Sequence, residues 1–290
     1  VKLRLPDCQQ DTTSTCLPAE HLAKFYFLLP APYLINYIKP VKMNIGIPPI
    51  VMLHKVKGEN SSGSKEWSIT HEKFLELLDY LIEFNYQTVT FSDIVLAKER
   101  LSPSKKVVLT FDDGFKHLFD FAIPQLLKRG MKALFYIPTA HIGEYNCWDF
   151  ARGSGEDQLM DEADLLELDR LGMEIGAHSH HHINLKQIRD ENKILDELLV
   201  SKQILESLTG KPVCSFAYPY GKLPLSYRKL MTKANYSFAV SIYQSVENDL
   251  ALRRFGYYNS DTRKSLDWKL SFSYKLLRAF YDPFIQQSYM

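Results

Sequence analysis

The chain has 290 residues, 46% apolar and 24% charged, a globular balance that fits one large domain or two small ones. Its 35 Lys and Arg against 34 Asp and Glu leave a net charge of +1, so no whole-chain field exists to hold a nucleic-acid backbone. Four cysteines, Cys8, Cys16, Cys147 and Cys214, form no CxxC pair, which argues against a zinc ribbon or a redox dithiol and leaves a Cys8–Cys16 disulfide unsupported.

The N-terminal stretch Val1–Thr15 is polar and lacks the basic start, apolar run and small-residue cleavage site of an export signal. Leu22 to Ile38 is apolar, but Lys24, Pro30, Pro32 and Asn36 interrupt it, and it is too short to span ~30 Å of hydrocarbon. The expectation is an N-terminal extension over 1–42 and a compact domain over 43–290, in a cytoplasmic or membrane-peripheral protein without a transmembrane segment.

From there, apolar β-branched runs alternate with segments of helical period, the pattern of repeated βα units and a parallel sheet. Strands are expected at Ile50–Leu53, Thr88–Thr90, Val107–Phe111, Ala133–Ile137, Glu174–Ala177, Val213–Ala217 and Ser237–Ser241, with a weaker one at Leu250–Arg254. Helices are expected over His71–Phe84 behind Thr70 as N-cap, over Phe115–Arg129 up to Gly130, and over Asp190–Leu208 up to Gly210. This count predicts an α/β fold, a distorted and incomplete (β/α) barrel of about seven parallel strands. The acidic stretch Asp149–Asp169 reads as a solvated loop feeding a helix. Lys264–Phe280 sets Leu266, Leu270, Leu276 and Phe280 among basic residues, a pattern for packing on the domain or, less commonly, for a membrane surface.

The chemistry concentrates at predicted strand ends. KVVLTFDDGF, residues 106–115, ends a buried strand in two carboxylates and a glycine. Neighbouring strand residues point to opposite faces, so Asp112 and Asp113 serve one site only if the chain turns there, which Gly114 permits. Met173–Ala177 runs into His178-Ser179-His180-His181-His182, and one turn of helix would put His178 and His182 on one face to grip one ion. Asp113, His178 and His182 then make a three-ligand set with open positions, and Asp112 is free to take a proton from water, the outline of metal-assisted hydrolysis.

TFDDG, HSxxH and the strand-end FAYPYG (Phe216–Gly221), in that order, resemble the NodB-homology polysaccharide deacetylase family, carbohydrate esterase family 4, over about Ile47 to Asn259. The resemblance implies a distorted barrel that removes N-acetyl groups from amino sugars of a glycan or sugar-lipid with a divalent metal, zinc first, then nickel, cobalt or iron. It implies Asp112 as base, and Asp113, His178 and His182 as ligands. Tyr220 matches the residue whose backbone N–H helps hold the oxyanion, and Pro219 would fix that loop. Trp148 and Tyr145 are candidates for stacking on a sugar face.

Two departures from the family pattern matter. Ala217 stands where many members carry the Arg that orients the base; Arg254, with Arg253 as fallback, resembles the Arg that other branches place late in the chain. No His follows His182, so the usual late general acid is missing. His54 in VMLHKV resembles the early element of the permuted branch that includes poly-N-acetylglucosamine deacetylases, and this implies that His54 protonates the leaving amine. Alternatives that keep the site are a deformylase or another amide hydrolase. Alternatives of other classes are an iron oxygenase using the same two His and one carboxylate, and a non-catalytic glycan-binding protein.

Overall fold

The computed structural model describes residues 46–58, 67–97, 104–148, 156–242 and 247–288. The extension over 1–42, the boundary at Met43, Cys8, Cys16 and positions 149–155 of the acidic stretch lie outside the described residues. In chain order the elements are β1 (Ile50–Leu53), β2 (Lys55–Lys57), β3 (Ser68–Thr70), α1 (His71–Glu83), β4 (Gln87–Thr88), α2 (Phe91–Leu96) and β5 (Lys106–Phe111). They continue with α3 (Ala122–Lys128), β6 (Leu134–Ile137), α4 (Glu162–Arg170), β7 (Glu174–Ala177), α5 (Glu191–Thr209), β8 (Ser215–Ala217) and α6 (Tyr227–Lys233). β9 (Phe238–Ser241), β10 (Leu252–Arg253), β11 (Phe255–Gly256), α7 (Arg263–Leu270) and α8 (Phe272–Ser288) follow.

The main sheet runs β10-β9-β8-β7-β6-β5-β1-β11, with β4 beside β5, and its ladders are parallel. Only Arg254 separates β10 from β11. Leu252 and Arg253 pair with Val240 and Ser241 on β9, while Phe255 and Gly256 pair with Val51 and Met52 on β1. The last strand therefore serves both edges, and the eight-strand path is nearly closed, a parallel α/β barrel as expected, with eight strands against about seven.

Period-two alternation divides the core. Ile50, Val108, Leu134, Tyr136, Ala217, Val240 and Leu252 pack with Val89, Phe91, Ile94 and Phe238 inside the barrel. Their neighbours Val51, Leu109, Phe135 and Ala239 face Leu77, Leu126, Leu165 and Leu198 of the outer helices. Tyr136 fits inside because position 176 is glycine; a Cβ there would lie 2.5 Å from the Tyr136 ring. Phe91 of α2 stacks on Phe238 with ring centroids 4.8 Å apart and plugs the N-terminal mouth.

The helices follow their local signals, with one correction. Thr70 caps α1 by accepting from the Lys73 N–H, and Phe74, Leu77, Leu78 and Leu81 form its buried face. Asp190 caps α5, which ends at Gly210 in the left-handed conformation. The expected helix over Phe115–Arg129 is instead a short 3₁₀ turn, Lys116–Phe119, a break at Phe121, and then α3. Pro124 explains this, since it has no N–H to donate to the carbonyl of residue 120 and its ring clashes there. β2 and β3, unexpected from the sequence, form a small parallel ladder in which Lys-Val-Lys pairs with Ser-Ile-Thr. Of the C-terminal apolar residues, Leu266 and Leu270 are buried in the domain, whereas Leu276 and Phe280 are exposed. Among the described residues no helix is long and apolar enough to cross a membrane.

Candidate metal centre and catalytic site

The inward parity of the strands continues past their C-terminal ends. Ile50 and Met52 lead to His54, Val108 and Thr110 to Asp112, and Leu252 to Arg254, so one barrel mouth collects an imidazole, a carboxylate and a guanidinium. Asp112 and Arg254 are 3% and 2% exposed. Their contact is bidentate, with Nη1 donating to Oδ1 at 2.6 Å and Nη2 to Oδ2 at 2.7 Å. Thr110 Oγ1 also accepts from Nη1 at 3.1 Å. Burial opposes the Asp112 charge, but Arg254, then His178 and His54, outweigh it and hold the carboxyl below its ordinary value. Arg253 points elsewhere, to Glu247 and Asp282, so Arg254 rather than the fallback meets the candidate base.

By parity Asp113 would face away from the mouth. It returns because Asp113 itself is left-handed at φ +73°, followed by Gly114 at +69°. The turn thus uses both residues, not the glycine alone. A side chain at 114 would also strike Ile137, whose Cδ1 lies 2.8 Å from a built Cβ. Asp113 Oδ1 is 3.4 Å from His178 Nε2 and 3.2 Å from His182 Nε2. All three residues are buried, and their ligand atoms lie within 4.8 Å of one another.

The two histidines converge without the expected helical turn. Residues 178–182 form an irregular loop with left-handed Ser179 (φ +61°) and His182 (φ +53°). Thr139 N–H donates to Ser179 O at 3.3 Å, and Ala140 N–H to His180 O at 2.8 Å. On the other side Glu197 Oε2 accepts from the His180 and His181 N–H groups, each at 2.9 Å. The sequence reading missed Glu197; the available signal was an acid on the buried stripe of α5 with Ile194, Leu198, Ser201 and Leu205.

His178 Nδ1–H donates to Ala217 O at 2.8 Å, which leaves the Nε2 lone pair facing Asp113. Burial disfavours charge on His178, yet the Asp113 hydrogen bond and the Asp112 and Asp113 charges raise its pKa, so a positive charge between Nε2 and the carboxylate is favoured there. A divalent cation supplies that charge, and two imidazole nitrogens with one carboxylate oxygen suit zinc or a neighbouring first-row metal. The donor set therefore fits a metal.

The remaining predicted residues border this group. His54 Nε2 is 3.8 Å from Asp112 Oδ2, beyond hydrogen-bond length. Burial lowers the His54 pKa against the pull of Asp112 and Asp113. Its ring lies 4.9 Å from that of Trp67, which the sequence reading did not single out. Trp148 stacks on His182 with centroids 4.0 Å apart, and Tyr220 meets the same imidazole edge-on at 5.0 Å. Tyr220 is left-handed at φ +57°, directly after buried Pro219. Tyr145 is 46% exposed.

These groups thus stand together at the C-terminal mouth of a nearly closed parallel barrel. Residues 100–239 match the profile described as polysaccharide deacetylase. The poly-beta-1,6-N-acetyl-D-glucosamine N-deacetylase of Staphylococcus epidermidis is 26% identical over 196 residues; the match covers 63% of this chain and 65% of that protein's length. Two similar solved structures are IcaB from Ammonifex degensii and the Streptococcus pyogenes deacetylase PplD. IcaB has a TM-score of 0.64 at 21% identity, covering 77% of this chain and 97% of its own. PplD has a TM-score of 0.63 at 20% identity, covering 77% and 98%. These two establish likeness of fold. Over residues 100–239 the chain is similar to the polysaccharide deacetylase family.

Proposed function

We propose that the protein is a divalent-metal-dependent hydrolase that removes N-acetyl groups from amino sugars of a glycan or glycan precursor. The observation that carries this reading is the pairing of a charged, Arg-held carboxylate, Asp112, with the adjacent Asp113–His178–His182 group at one barrel mouth. The S. epidermidis relative is named for deacetylating a poly-N-acetylglucosamine, and PplD was solved in complex with acetate, which supports an N-acetyl substrate.

Asp113, His178 and His182 would hold the metal, zinc being the first candidate and nickel, cobalt or iron the others. When bound, the ion polarises the amide carbonyl and makes a water more acidic. Asp112 acts as base, taking a proton as the water oxygen bonds to the carbonyl carbon. Arg254 is its positioning residue, fixing both carboxylate oxygens and keeping them ionised. Since burial lowers its pKa, His54 rests neutral near pH 7; during turnover it takes up the proton from Asp112 through one water bridging the 3.8 Å between them. It then delivers that proton to the nitrogen as the C–N bond breaks, leaving acetate and a free amine. The Tyr220 N–H holds the developing oxyanion, its loop set by Pro219. Trp148 buttresses His182 and borders the sugar.

The test is acid release from poly-N-acetylglucosamine oligomers, N-formyl sugars and small amides by the zinc-loaded protein. Acetate from the oligomers is the expected result. Formate alone would favour the deformylase reading of the same site, and no acid from any substrate by metal-loaded protein would overturn the hydrolase.

A further inference from the structure

The loop between the two candidate histidine ligands is short, irregular and twice left-handed, so its shape depends on what holds it. One side chain holds one whole edge of it. Glu197 projects from the middle of α5, is 6% exposed, and accepts from three donors of the loop. The His180 and His181 backbone N–H groups reach Oε2 at 2.9 Å each, and His181 Nδ1–H reaches Oε1 at 2.6 Å. These donors lie between His178 and His182 in sequence. The same carboxylate thus anchors the loop to a long, two-ended-capped helix, while Thr139 and Ala140 hold its opposite edge. Charge-assisted bonds of this kind are about twice as strong as neutral ones.

We infer that Glu197 is a positioning residue for the metal centre: through the His180 and His181 backbone it holds His178 and His182 in the geometry that lets both Nε2 atoms meet Asp113. The inference rests on the proposed metal site, and it adds a residue outside the Asp113–His178–His182 group. Its expected signature is a change in metal affinity out of proportion to any change in fold stability. A residue that merely packs α5 would show the reverse.

The experiment measures Zn²⁺ affinity by chelator competition and the visible spectrum of the Co²⁺-loaded protein for wild type, Glu197→Ala, Glu197→Gln and Leu198→Ala. Leu198, fully buried beside Glu197, is the packing control. Glu197→Ala is expected to weaken zinc binding by about 10–100-fold and alter the Co²⁺ spectrum, the effect usual for a residue that orients ligands. Glu197→Gln keeps an oxygen for the two N–H groups and is expected to recover part of that loss. Leu198→Ala is expected to lower Tm and leave zinc affinity unchanged. Zinc affinity in Glu197→Ala equal to wild type, or an equal loss in Leu198→Ala, would overturn the inference. Should Glu197→Ala not fold, Glu197→Gln decides, and an unaltered affinity and spectrum there would overturn it. Wild type that binds zinc yet releases no acetate would contradict the deacetylase reading and leave Glu197's role standing; wild type that binds no zinc would remove both.

Discussion

The two mouths of the barrel each enclose a carboxylate and treat its charge in opposite ways. At the C-terminal mouth Asp112 receives both arms of Arg254, and its carboxyl is held below the ordinary value despite burial. At the N-terminal mouth Glu174, at the start of β7, is partly buried, and its partners among the described residues are neutral. Ser92 N–H donates to it at 2.7 Å, and Ser215 Oγ and Cys214 Sγ lie 3.4 and 3.5 Å away. Burial there pushes the Glu174 carboxyl up, and pushes the neighbouring Cys214 thiol up to about 12. Enclosure alone favours the protonated acid; a buried guanidinium reverses this and leaves a carboxylate able to accept a proton.

Substitutions can break that contrast. The largest expected effect is at the mouth with the counter-charge: His54→Ala should lower kcat for acetate release by about 10²–10⁴, and an unchanged kcat would assign the amine proton to water. Arg254→Met leaves Asp112 enclosed without its partner and should cost about 3–5 kcal/mol in denaturant unfolding. A loss within the error of the melt would mean the pair does not govern this mouth. Asp113→Asn or His178→Ala should purify with far less zinc than wild type by elemental analysis, and full occupancy would displace them from the ligand set.

The smallest effect is expected at the other mouth and has a pH dependence. Asp112, with a lowered pKa, contributes stability above about pH 3.9 that is lost as the pH falls through its folded value. Glu174, with a raised one, contributes stability below about pH 4.3 that is lost as the pH rises through its folded value. Glu174→Gln removes that loss, so it should match wild type near pH 4 and raise Tm at pH 7 by about 2–4 °C, the shift that 1 kcal/mol gives a domain of this size. A lower Tm at pH 7 would show that Glu174 is stabilised there as a carboxylate.

What the sequence made legible was set by strand parity and strand ends. Ile50–Leu53 and Glu174–Ala177 match the observed strands residue for residue, and Asp112, Asp113, His178 and His182 meet at one mouth. Arg254 and His54 also lie where the strand ends put them, beside Asp112. The remainder depended on contacts distant in sequence or on backbone that residue types do not announce. A left-handed Asp113 and His182 are non-glycine exceptions, so the turn and the histidine loop looked simpler than they are. Glu197 lies 16 and 17 residues from the N–H groups it holds. The closing strand is broken at Arg254 into two-residue pieces, too short for an alternation pattern to reveal that the barrel nearly closes. Lys-Val-Lys of β2 offers one apolar residue, which hid the small second ladder.

The most direct test of the account compares wild type with Asp112→Asn for bound metal and for acetate released from N-acetylglucosamine oligomers, measured side by side. Equal metal is expected in both proteins, with acetate released by the variant about 10²–10⁴ more slowly than by wild type. Acetate release by Asp112→Asn at the wild-type rate, or loss of metal together with activity in that variant, would contradict the separation of base from ligands on which the whole reading rests.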